Sequence, residues 1–224
     1  MTAPVPDGPR VLADIALEID AAEVLRFQGY KQGRDTPGPD VVALFDEALA
    51  LGRRLMAPRA VIRWVAVTRG APDGLEAGGV TLTIPAIGES WGEVEWIVAA
   101  VCTIGAALER RVTELWEARE LPLAAMLDSV GSGAVESLAE YVNDELCQEG
   151  LRRGVRVTNR ISPGYGGWDV AQQTALFRLC AGDAIGVTLN EARFMTPVKS
   201  ISLLAGAGPG ARVDHYFSQC ARCW

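Results

Sequence analysis

The amino-acid sequence predicts an α+β fold, a mixed, mainly antiparallel sheet flanked by helices. Segments of strand composition and segments of helical apolar spacing interleave along the chain, without the regular βαβ rhythm that a parallel sheet needs. Hydrophobic residues make up 49% of the 224 residues and mean hydropathy is +0.15, which supports a packed core and excludes a disordered chain. The longest apolar run, 97–108, is interrupted by Thr103 and Gly105 and falls short of the roughly 20 residues that span a bilayer. The expectation is one soluble domain over 1–224, with 1–10 as a flexible N-terminus, 213–224 as a C-terminal tail and no membrane partner.

Val11 to Ile19 alternates partly and reads as a strand, followed by a helix over 21–27 with Asp20 as its N-cap and a break at Gly29. After a Gly/Pro-bearing loop over 31–39, Asp40 is placed as the cap of a helix whose Leu44, Ala48, Leu51 and Leu55 recur at helical spacing, ending before Pro58. Residues 60–68 and 79–84 have strand composition and are separated by a turn at Pro72 to Gly74. Residues 95–104 form a β-branched, buried strand and 106–119 a helix with one charged face. Pro122 opens the longest helix, to about Arg153, with Leu127, Val135, Leu138, Val142 and Leu146 as its apolar row. Asp128, Ser132, Glu136 and Glu140 form a second row at i+4, whose plain interpretation is a solvent-facing edge. A loop over 158–168 leads to Asp169 and Gln172, which have capping-box spacing for a helix over 170–181. Short strands follow at 187–189 and 198–204, then a turn over Gly206 to Gly210.

The net charge of −7 and an isoelectric point near 4.9 argue against nucleic acid as a partner, since a phosphate backbone is held by clustered Lys and Arg. Arg152, Arg153, Arg156 and Arg160 make a local basic run, the first three explained by a solvated helix end. Residues 1–10 carry Pro, Asp and Gly where a signal peptide needs a basic and then an apolar region, so a cytoplasmic location is expected. Cys102, Cys147 and Cys180 sit singly in apolar or helical stretches, as small hydrophobes. Cys220 and Cys223 have metal or redox spacing, but only His215 lies near them. A metal or iron–sulfur site, a transient dithiol pair and an idle tail all stay open. His215, the single histidine, is expected to be structural.

The most informative stretch is 160–169, Arg-Ile-Ser-Pro-Gly-Tyr-Gly-Gly-Trp-Asp. Gly164, Gly166 and Gly167 would let the backbone approach a ligand closely, or would simply build a turn. The stretch resembles the R-x-x-PGY signature of the activation domain of cobalamin-dependent methionine synthase. Leu176 to Leu179, Ile185 to Leu189, Met195 to Pro197 and Lys199 to Ser202 follow in that family's order. Residues 128–141 and 18–30 resemble its stand-alone, corrinoid-activating relatives, so the similarity covers nearly the whole chain.

The resemblance implies an activation domain-like fold and reductive methylation: cobalamin that has slipped to the inert cob(II) state is reduced by one electron and methylated by S-adenosylmethionine. The chain shows no D-x-H-x-x-G corrinoid-binding pattern, so the cobalamin must come with a partner, a cobalamin-binding methyltransferase or other corrinoid protein. The electron would come from a flavodoxin or ferredoxin. By the same resemblance, Arg160 takes the ligand carboxylate. Ser162, standing where relatives often have Ala and where backbone groups do the binding, and Pro163 belong to the ligand-binding loop, Gly164 permits close approach, and Tyr165 brings a ring and hydroxyl to the ligand. Glu136, and more loosely Asp20, supply carboxylates for the ammonium and sulfonium charges. Two departures stand out: the family's later ligand-contacting tyrosine has no counterpart, and Ile161 replaces a proline, which predicts a less rigid loop. Two other functions remain in view. One is a non-catalytic docking or electron-transfer adaptor using Cys220 and Cys223. The other is a small-substrate methyltransferase, disfavoured by the missing Rossmann glycine fingerprint.

Overall fold

A computed structural model describes residues 8–31 and 33–213, so His215, Cys220 and Cys223 lie outside the described residues. Strand β1 covers only Arg10–Leu12 and does not run on to Ile19, because Asp14 takes a left-handed conformation (φ 56°) that turns the chain off the sheet. Helix α1, Ala21–Phe27, starts as expected, the Asp20 carboxylate accepting from the Ala22 N–H at 2.8 Å. Helix α2, Pro39–Leu55, is capped by Gly38 and not by Asp40. Pro39, whose fixed φ suits the first helical position, shifts the start upstream and puts Asp40 in the first turn, where its charge favours the helix dipole.

Strand β2 is Arg59–Ala71, longer than expected, and pairs with β3, Gly74–Ala77, which the sequence did not reveal. Strand β4, Val80–Thr83, follows through Gly78 and Gly79, both at positive φ, which closes a tight hairpin. A five-residue helix, α3, Ile87–Trp91, and the two-residue β5, Gly92–Glu93, lead to β6, Trp96–Thr103. Helices α4, Ala107–Glu117, and α5, Leu121–Arg153, match the long helical periodicities. After β7, Arg156–Val157, Asp169 caps a 3-10 turn at Val170–Gln172 that runs into α6, Gln173–Leu179. The expected capping box is not closed, because the Gln172 side chain accepts from Thr83 N–H at 3.2 Å instead. Strands β8, Thr188–Leu189, β9, Met195–Thr196, β10, Ser200–Gly208, and β11, Gly210–Ala211, complete the order.

The main sheet runs β4-β3-β2-β6-β10-β7 with β1 on the other part of β2, and each of its pairings is antiparallel. One face is covered by α5, with α1, α2 and α4 around it, and its core holds Leu127, Leu138, Leu146, Val98 and Leu203. The other face carries α3, α6 and Trp168 over Val61, Ile97 and Leu204. Each fully buried Leu contributes about 1.5–3 kcal/mol relative to exposure. Among the described residues no helix is long and apolar enough to cross a membrane.

The expected turn over Gly206 to Gly210 is only partly realised. β10 stays extended through Gly208, because Gly206 is needed for close packing: a Cβ there would lie 2.6 Å from the Trp91 ring.

Candidate functional site

The site forms where the outer edge of β10 is only half paired. Strand β7 meets it at Ala207 and Gly208 alone. Past that point the chain runs alongside as an irregular edge. Thr158 N–H donates to Gly206 O at 2.8 Å, Gly206 N–H donates to Thr158 Oγ1 at 2.9 Å, and Ile161 and Leu204 exchange two backbone bonds of 2.8 Å each. The predicted looseness at Ile161 is therefore corrected: its N–H, which a proline would lack, is what pins the loop to β10.

The glycine-rich turn then closes on itself through Tyr165 N–H to Ser162 O at 3.2 Å, Trp168 N–H to Tyr165 O at 2.9 Å and Gly164 N–H to Trp168 O at 2.7 Å. Gly164, Gly166 and Gly167 have φ of 94°, 58° and 80°, conformations that side chains resist. Buried Trp168 anchors the turn, and Tyr165 at its tip is 55% exposed.

Behind the loop, the Arg160 guanidinium, 8% exposed, donates from Nη2 to Glu136 Oε2 at 2.9 Å. One turn along α5, burial raises the Glu140 carboxyl pKa above its ordinary value; Arg160 opposes the shift and Glu136 adds to it. Beneath them, burial pushes the Cys102 thiol up to about 12, against the pull of Arg160. The polar row of α5 is therefore not a plain solvent edge. Lys199 Nζ lies 2.8 Å from both Asp128 Oδ1 and Ser132 Oγ, and Glu136 holds Arg160, so the row ties α5 to the start of β10 and to the loop.

A cavity of about 360 Å³ opens here, within the roughly 300–1,000 Å³ of small-molecule sites. Glu136, Arg160, Ser162, Pro163 and Tyr165 line it. Gly164 shapes the turn but is not part of the wall, and Asp20 is engaged as the α1 cap away from it. The facing wall comes from Gln173, from the 193–198 segment and from the Ser200 to Ser202 part of β10. Sequence reasoning gave no role to these residues; apart from the order of the similar segments, nothing local marks them.

No protein-family model and no curated protein matches the sequence. Among solved structures, the crystal structure of the MetH reactivation domain bound to AdoHcy is similar, with a TM-score of 0.71 and 17% identity over 97% of this chain and 83% of that one. The chain thus has an activation domain-like fold, an antiparallel sheet flanked by helices, along nearly its whole length.

Proposed function

We propose that this protein binds S-adenosylmethionine in the cavity beside β10 and acts as the activator of a separate cobalamin-dependent methyltransferase, such as a methionine synthase without its own activation domain. The observation that carries this reading is the Arg160–Glu136 pair, fixed charges of opposite sign in the wall of a ligand-sized cavity. The ligand carries the complementary set: one carboxylate for the Arg160 fork, and an ammonium and a sulfonium for Glu136. The fold likeness to a domain solved with AdoHcy supports the same assignment.

The partner's corrinoid supplies the nucleophile for the methyl group, and a flavodoxin or ferredoxin supplies the electron that keeps it reduced. What this chain contributes is orientation. The loop 162–168, closed by its own backbone bonds, holds its shape before the ligand arrives. Tyr165, Val170, Phe194 and Val198 form an exposed apolar rim, suited to cover a corrinoid face and keep water from the reacting groups.

Calorimetry with S-adenosylhomocysteine should show binding that Arg160→Ala weakens by about 30-fold or more. That substitution leaves both the ligand carboxylate and Glu136 without their cation, a loss of roughly 2–5 kcal/mol. In parallel, the visible spectrum of a cob(II)alamin-loaded methyltransferase, with reductant and S-adenosylmethionine, should convert to the methylated form only when this protein is added. No heat with the nucleotide, or conversion at the same rate without the protein, would overturn the proposal.

A further inference from the structure

The ladder between the loop and β10 stops at Pro163, and what it leaves on the cavity wall is specific. Leu204 gives both its backbone groups to Ile161. By the two-residue period of an antiparallel ladder, the N–H and C=O of Ser202 point to that same edge, while Ile201 and Leu203 turn theirs toward β6. The register places Pro163 opposite Ser202, and proline has no N–H to offer. Outside the sheet ladder, no hydrogen bond among the described residues engages the Ser202 backbone N–H or C=O. Ser202 lines the cavity, so a donor and an acceptor stand side by side on its wall.

A third group joins them. Gln173 is 5% exposed and lines the same cavity. Its Oε1 accepts from Ser202 Oγ–H at 2.9 Å, with Ser202 itself 2% exposed, so the amide is oriented from below. This leaves the two Gln173 N–H donors as the polar function that this side chain offers the cavity, with no partner among the described residues.

We infer that the Ser202 edge and the Gln173 amide read the base of the bound nucleotide as a 6-aminopurine. The Ser202 C=O accepts from the exocyclic amine, the Ser202 N–H donates to the ring nitrogen beside it, and Gln173 donates to a further acceptor on the base or its sugar. An amino group next to a ring acceptor is the pattern that separates adenine from a 6-oxopurine. The inference rests on the S-adenosylmethionine reading above and extends it to a residue that reads the base.

The test compares binding of S-adenosylhomocysteine with that of S-inosylhomocysteine, whose base carries a carbonyl in place of the amine and an N–H in place of the ring acceptor. Wild-type protein should prefer the adenine form by about tenfold or more. Gln173→Glu keeps the acceptor for Ser202 but removes the N–H donors. It should weaken both nucleotides alike and leave the preference, which the Ser202 groups set, in place, with the melting temperature showing that the fold is intact; Gln173→Leu is the second variant. Equal affinity of the wild type for both nucleotides overturns the base-reading role while leaving nucleotide binding standing. Affinity for both nucleotides unchanged in both variants removes Gln173 from the site. No binding of either nucleotide overturns this inference and the reading beneath it.

Discussion

Arg160 and Glu136 lie 24 positions apart in sequence, and what brings them together is the docking of the loop on β10 in front of α5. Their neighbour Glu140 makes the environment measurable. Its carboxyl is raised by burial, so the folded state favours the neutral form; that stability is fully present below the ordinary carboxyl value and is lost as pH rises through the folded one. Glu140→Gln should therefore raise the melting temperature at pH 7, and the gain should vanish near pH 4 in thermal melts run across that range. The buried thiols follow the same sign. Cys102 and Cys180 are both pushed from 9.0 up to about 12 by burial, so stability should decline as pH climbs above about 9, and neither thiol should react with a thiol reagent at pH 8 until the protein unfolds. At this scale the sequence was informative where charge and glycine cluster, at Arg160 to Tyr165. It was silent on Gln173 and Ser202, whose importance comes from being placed across the sheet edge from the loop.

At the scale of elements, Gly206 gives the sharpest test. Gly206→Ala would set a methyl 2.6 Å from the Trp91 ring and 2.8 Å from Val94, both packed against the centre of the sheet. A cost of about 1–3 kcal/mol is expected in chemical denaturation, the usual penalty for overfilling a core. The same glycine shows why parts of the fold were hard to read. A run of Gly, Ala and Pro suggests a turn by composition, yet here the small residues permit a close crossing inside an extended strand. Long periodic elements such as α2, α4 and α5 were legible because their apolar rows repeat over several turns. Strands β3, β5 and β9 and helix α3 span two to five residues, too few for any period to show, and they form because a neighbouring strand or sheet edge supplies their partners.

For the whole molecule, ligand binding and folding are linked. A nucleotide at one hundred times its dissociation constant adds about 2.7 kcal/mol to stability. In a chain of 224 residues that amounts to a rise of roughly 5–11 °C in melting temperature with saturating S-adenosylhomocysteine, absent in Arg160→Ala. The overall architecture was legible because strands and helices alternate without a βαβ rhythm, whereas the cavity depends on four separated stretches of chain meeting at one edge. The ion pair at that edge has a further effect. Arg160 and Glu136 already neutralise each other, so S-adenosylhomocysteine, a zwitterion of zero net charge, swaps two contacts for two on entering between them, whereas S-adenosylmethionine also brings the positive charge of its sulfonium. Counterions have little to screen in the first exchange, so titrations of S-adenosylhomocysteine at low and high ionic strength should return nearly the same constant, while S-adenosylmethionine, a net cation meeting a strongly acidic protein, should bind more weakly as salt rises.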